Sequence, residues 1–256
     1  MAVSVQRLPV DVAGVRVIRW RTDELYTGMK EAYAATRVES GRSRWMCGGR
    51  LFTSGPGSLQ LLAPGDVHRD LSRDGATVCQ IVGFASDFVE RVTGAVRVYP
   101  QPASDDPRAA PFRRLHDAID ASAAGDADRL SLETAVAEAV LAFGRFGDAR
   151  CGHTRPVRRA RELLRERLAE SVTLDELAAH AGLDKFHLCR AFRAQVGLPP
   201  HAYLTRLRIM RAKELLVAGV RPSEIAPRVG LYDQSQLNRH FRRLVGTTPG
   251  EFARRA

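Results

Sequence analysis

The sequence predicts two domains of unlike architecture: an N-terminal β sandwich or barrel ending in a helical hairpin, then an all-α domain that uses one small helical unit twice. Three observations predict it. First, Leu188, Arg190, Phe192, Gly197, Pro200 and Tyr203 recur 49 positions later as Leu237, Arg239, Phe241, Gly246, Pro249 and Phe252. Upstream, Glu176, Leu177, Ala178 and Leu183 recur 48 positions later as Glu224, Ile225, Ala226 and Leu231, so one residue is inserted at a turn of the second copy. Second, residues 151–256 hold 20 Lys or Arg against 10 Asp or Glu, while residues 1–150 hold 19 of each; the net +10 sits in the repeated half. Third, the apolar period changes along the first half, from short runs to helical spacing.

Taken in order, residues 10 to about 99 contain Val15-Arg16-Val17-Ile18, Leu59-Gln60-Leu61-Leu62 and Val78-Cys79-Gln80-Ile81-Val82, broken by Gly and Pro. Such runs read as antiparallel strands. In 108–124, Phe112, Leu115 and Ile119 share one helical face; in 127–146, Val136, Ala139, Val140 and Phe143 share another, with Gly125 at the bend. Periodicity leaves two partners open for those faces, a second chain or the sheet of the same chain. A seam follows at residues 147–156, where Gly and Pro interrupt any apolar period. The predicted divisions are 1–148, a linker at 149–156, and 157–256.

The first repeated unit opens at Thr173-Leu174-Asp175-Glu176, which has capping-box form. Gly182 supplies a turn, and a second helix starts near Asp184, giving a helix-turn-helix. Spacing puts Leu188, Ala191, Phe192 and Gln195 on one side of that helix and Lys185, Phe186, Cys189, Arg190 and Arg193 on the other. The outer stripe suits a major groove, where Arg reads guanine O6 and N7. The competing reading for Arg190 is a surface ion pair with Asp184. In the second unit Leu237, Phe241 and Leu244 face inward, and Gln234, Ser235, Asn238, Arg239 and Arg242 face outward. Asn and Gln can bond adenine bidentately. Pro227 should bend the preceding helix or delay its start. A helix over 203–217 joins the units, a rod of roughly 22 Å. Its Arg206, Arg208, Arg211 and Lys213 are expected to meet phosphate or solvent.

Bulk properties narrow the function. A concentrated positive charge points to a polyanionic partner and salt-sensitive binding. No apolar run approaches the roughly 20 residues of a membrane helix, and the first 14 residues carry no export signal. Cys47, Cys79, Cys151 and Cys189 form no CxxC pair, which argues against a disulfide scaffold or zinc knuckle and for a reducing cytoplasm.

The motifs resemble a known family. Residues 156–256 are similar to the DNA-binding domain of AraC/XylS-type transcriptional regulators over about 40% of the chain. The matching segments are 177–183, 186–193 and 197–203, then 229–243 with Gly246-Thr247-Thr248-Pro249. Leu231, where the family usually has Phe, and Pro227 depart from the pattern. The resemblance implies a cytoplasmic, promoter-binding regulator, usually an activator and often a homodimer, with RNA polymerase as a candidate further partner. It implies recognition positions at Lys185, Phe186, Cys189, Arg190 and Arg193, then Gln234, Ser235, Gln236, Asn238, Arg239 and Arg242.

Residues 1–150 resemble the family's cupin-like sensor more weakly, best at Leu61-Leu62-Ala63-Pro64-Gly65-Asp66-Val67-His68. That half has only His68 and His116, with no H-x-H pair, so neither metal nor cofactor is expected. His68 reads as a turn or pocket-rim residue. Arg42, Arg44, Trp45 and Arg50 could line the pocket of an anionic small-molecule effector or form an exposed strand edge. The leading function is therefore a ligand-responsive transcription factor and not an enzyme. The alternative is a cupin-type or DNA-repair enzyme on the same scaffold; a sequence-blind chromosome-packing protein would need mainly cations, not outward Asn and Gln.

Overall fold

Two long strands organise the N-terminal half of the computed structural model, which describes residues 3–124, 128–146 and 153–255. β4 (Tyr33–Cys47) and β7 (Val67–Phe84) run antiparallel along most of their length, with register shifts between Val38 and Ser40, Ser40 and Arg42, and Arg44 and Trp45. β1 (Ser4–Leu8), β2 (Val15–Thr22) and β5 (Arg50–Ser54) extend them in the order β1-β2-β7-β4-β5; β3 (Thr27–Met29) pairs with β7 and β6 (Leu59–Leu62) with β4. The three apolar runs read as strands lie in β2, β6 and β7. Residues 86–93 depart from the expected all-strand stretch: they form helix α1 (Ser86–Thr93).

One face of the sheet is covered by α2 (Ala110–Ala124) and α3 (Arg129–Arg145), the expected helical hairpin; its bend at Gly125 falls outside the described residues. Phe112, Leu115, Ile119, Val136, Ala139, Val140 and Phe143 join one core with Val17, Ala35, Leu61, Val82 and Phe84 of the strands. Of the two partners left open for those faces, the chain's own sheet takes them. Phe143 is the hub, with ring centroids 4.9 Å from Phe112, 5.3 Å from Tyr33 and 5.4 Å from Phe84.

The covered face turns polar farther along. Arg19, Gln80 and Arg37 lie side by side in register. Gln80 donates to Asp120 Oδ1 at 2.7 Å and meets His116 Nδ1 at 2.6 Å; Arg37 pairs with Asp117 and Asp120. Burial, reinforced by Arg37, pushes His116 down to about 3, so the ring stays neutral. This network fixes α2 over the sheet at one register.

The chain divides into two compact units, Met1–Gly152 and His153–Ala256. The first six positions of the seam lie outside the described residues, and its last two, Arg155 and Pro156, already belong to α4 (Arg155–Glu166). The second unit continues with α5 (Leu174–Ala181), α6 (Lys185–Val196), α7 (Pro200–Val217), α8 (Pro222–Arg228), α9 (Gln234–Val245) and α10 (Pro249–Arg255). Sequence reasoning missed α4 and α10, although Val157, Ala160 and Leu164 carry helical spacing and Thr248 with Glu251 forms a reciprocal cap.

Candidate nucleic-acid interface and sensor residues

Each helical pair is positioned by its caps. Thr173 Oγ1 accepts from Glu176 N at 3.2 Å and Glu176 returns a bond to Thr173 N at 2.8 Å, so α5 starts where the capping box predicts. Gly182 ends α5 in the left-handed region at φ 71°. Asp184 then caps α6 by accepting from Phe186 N at 3.0 Å and His187 N at 2.9 Å. Those bonds, led by the one from His187, hold the Asp184 carboxyl below its ordinary range. Asp184 thus caps the helix start, and Arg190 lowers its carboxyl further through space without closing an ion pair among the described residues.

In the second copy α8 begins at Pro222, so Pro227 does not delay its start; it sits one residue from the helix end. Gly230 turns the chain at φ 74°, and a Cβ there would lie 2.5 Å from the Ala169 carbonyl oxygen. The inserted residue falls between this turn and α9. Gly182-Leu183-Asp184 of the first copy becomes Gly230-Leu231-Tyr232-Asp233, and Tyr232 is 93% exposed. Leu231 is buried in the second core with Leu237 and Phe241, filling the position where the family pattern has Phe.

The inward sides are as spacing divides them. Leu188, Phe192, Leu237 and Phe241 are fully buried, and Leu244 packs against the second core. Phe186 is 72% exposed, and Lys185, Arg190 and Arg193 are exposed with it; Cys189 is half-buried. On α9, Gln234, Ser235, Arg239 and Arg242 are exposed and Asn238 is half-buried. Ser235, Asn238, Arg239, Arg242 and Arg243 line one shallow depression. Among the described residues, Arg190, Arg193, Arg239 and Arg242 form no salt bridge. Two members of the expected set have local partners. Lys185 Nζ lies 3.2 Å from Asp175, and Gln236 accepts from Tyr232 N at 2.8 Å.

The connecting helix α7 has 18 residues, about 27 Å at 1.5 Å per residue. Tyr203 at its start packs edge-on to Phe192, while Ile209, Ala212 and Leu216 enter the core of the second unit. Its cations are less available to phosphate than expected. Arg208 donates to the carbonyls of Leu168 and Glu170, Arg211 pairs with Glu214, and Lys213 lies over the Phe252 ring.

The residues expected to form an effector pocket do not converge. Strand period divides β4, so Arg42 and Arg44 are exposed while Trp45 turns inward, stacks on Phe52 at 4.8 Å and donates to Ser54 Oγ. Arg50 is exposed over the Tyr99 ring. His68 is a strand residue of β7 rather than a turn residue, half-buried against Tyr26. A cleft of about 990 Å³ opens elsewhere, between β5, the segment after residue 98 and the ends of α2 and α3; Phe52, Tyr99, Gln101, Arg145 and Phe146 line it, and none of the five expected residues does.

Comparison with known proteins agrees with this division. Residues 14–140 match the AraC-like ligand binding domain, and residues 177–255 match a helix-turn-helix domain. The chain is 45% identical over 76 residues to an uncharacterized HTH-type transcriptional regulator, YbfI, of Bacillus subtilis, covering 30% of this chain and 28% of that protein. It is 35% identical over 83 residues to the HTH-type transcriptional activator AarP of Providencia stuartii, covering 32% and 62%. The matched region thus spans less than two thirds of either relative. A ligand-free point variant of ToxT from Vibrio cholerae shares the fold, with a TM-score of 0.50 and 12% identity over 94% of this chain and 97% of that one. With a ligand-binding domain matched at residues 14–140 and a helix-turn-helix domain after it at 177–255, the chain belongs to the AraC/XylS-type family of transcriptional regulators.

Proposed function

We propose that this protein is a sequence-specific DNA-binding transcriptional activator in which residues 157–256 read promoter half-sites, residues 1–148 sense a small molecule and dimerise, and 149–156 link the two. The observation that carries the reading is the pair of exposed rows on α6 and α9, each with guanidinium groups at helical spacing and no carboxylate partner among the described residues. Donors of that kind suit base edges in adjacent major grooves. Arg190, Arg193, Asn238, Arg239 and Arg242 are the proposed readers.

A homodimer is supported by α3. Its sheet face is consumed internally, but Leu130 and Leu141 stay exposed, with Thr134 and Ala137 exposed between them at 4-3-4 spacing, the seam of a coiled coil. Effector binding would shift which half-sites the dimer spans, with RNA polymerase as the downstream partner. A reading without catalysis is supported by the family, whose members are transcriptional regulators. A cytoplasmic location is supported by the thiols of Cys79 and Cys189, which form no disulfide; among the described residues no helix is long and apolar enough to cross a membrane.

Selection of full-length protein against random duplexes tests the proposal. The expected outcome is a recovered motif of two half-sites about 34 Å apart. Recovery of no motif over scrambled competitor at modest ionic strength would overturn it. Deleting residues 1–150 should leave part of the DNA affinity.

A further inference from the structure

The sheet has a second face, turned away from the hairpin, and it carries charge that the protein does not neutralise. Register sets Trp20, Cys79 and Val38 side by side, one residue along each strand from the Arg19, Gln80 and Arg37 row that meets α2. Alternation therefore turns Trp20 and Cys79 to the opposite side. Burial pushes the Cys79 thiol up to about 11; Arg73 and Lys30 pull against that rise, Asp70 and Glu39 add to it, and so all four charges lie within electrostatic reach of one sulfur.

Partners can be assigned to three of the four. Glu39 takes a bidentate bond from Arg19. Asp70 pairs with Arg73, both side chains being more than nine-tenths buried, and also accepts from Tyr26 N. Lys30 is left. Its backbone is fixed by bonds to Asp66 and Gly65, but among the described residues its ammonium has neither a hydrogen-bond nor an ion-pair partner. Burial lowers its proton affinity, with the Cys79 thiol opposing. Arg73 adds a second unmet donor: its Nε is buried without a hydrogen-bond partner, and its guanidinium lies 5.8 Å over the Trp20 ring. Lys30 itself is half-buried, whereas a buried donor such as Arg73 Nε is costly unless something accepts from it.

An aromatic rim stands beside these cations. Tyr26 meets Trp20 edge-on at 5.5 Å and His68 at 5.4 Å. Its ring lies across Gly28, where a Cβ would come within 2.2 Å of the ring, so this strand position admits the ring only as glycine. Tyr26 is 44% exposed, at the boundary with solvent.

We propose that the sensor unit binds a small organic anion on this face, its negative group between Lys30 and Arg73 and its apolar body against Trp20 and Tyr26. The proposal rests on reading the unit as a sensor and names the class of effector it takes: one oxyanion, a carboxylate or sulfonate, on a flat apolar frame. The excess of one cation sets the charge, and the flanking rings set the shape.

The full-length protein is titrated with 1-anilinonaphthalene-8-sulfonate and, in parallel, with its uncharged analogue N-phenyl-1-naphthylamine. Both are read through emission sensitised by tryptophan, because the chain's two tryptophans, Trp20 and Trp45, both lie in the sensor unit. Lys30→Met is the test variant, since it leaves no carboxylate unpaired. It is expected to weaken the sulfonate by roughly tenfold or more, to leave the neutral dye unchanged and to abolish the sulfonate-induced rise in Tm. Lys30→Arg should retain sulfonate binding. Equal sulfonate affinity in wild type and Lys30→Met, or binding of the neutral dye alone, overturns the anion site and leaves a sensor of neutral molecules standing. Binding of neither dye overturns both.

Discussion

The two helical repeats have matching cores and differ in what they hold out. Phe192 against Tyr203 in the first is matched by Phe241 against Phe252 in the second, at ring separations of 5.6 Å and 5.5 Å. Their outward rows diverge: Lys185, Phe186, Arg190 and Arg193 on α6 against Gln234, Ser235, Asn238, Arg239 and Arg242 on α9. The turns diverge as well, because the second holds Tyr232 in excess and closes tightly on Ala169. Duplication preserved the packing that fixes a helix and released the side chains that meet a partner.

The largest expected effect tests the matching cores. Phe192→Ala and Phe241→Ala should each cost about 3–5 kcal/mol in urea unfolding. Because α7 contributes to both cores, the second unit should still unfold in one transition; two separated transitions would break the pairing. Next come the turns. Gly182→Ala meets open space and should cost about 1 kcal/mol, the strain of its positive φ, whereas Gly230→Ala also meets a carbonyl and should cost at least about twice as much. Similar melting curves for the two variants would show that the second turn is no tighter.

Base reading ranks third. Arg239→Ala and Arg190→Ala should each lose about 1–3 kcal/mol on the recovered site and relax preference at one position. Equal loss on random DNA would make either one a phosphate contact. Smallest is Lys185→Met. Its exposed pair with Asp175 should change stability by less than about 0.5 kcal/mol. If Lys185 also meets phosphate, the salt dependence of binding should drop by about one ion.

The helical half was legible because its signals are local. Repeat spacing, the Thr173 cap, Gly182 and the buried Leu188 and Phe192 all act within a few residues of chain. Where reading failed there, a signal was present: α4 carries its apolar spacing in plain view. The sensor half was less legible because its site depends on pairing across long separations. Nothing near Lys30 in the chain announces that β3 will lie against β7 and bring it within electrostatic reach of Cys79. The grouping of Arg44 with Trp45 failed for a simpler reason, since adjacent strand residues point apart. Whether the hairpin faced its own sheet also lay beyond periodicity, which describes an apolar face without naming its complement.

The 18-residue α7 has a mechanical consequence. A helix that supplies a wall to both cores cannot pivot without opening one of them, so it works as a calliper with a set gap. A duplex whose successive grooves do not match that gap must itself curve or change twist to be held by both jaws, and the stiffness of base steps the protein never touches then enters the choice of operator.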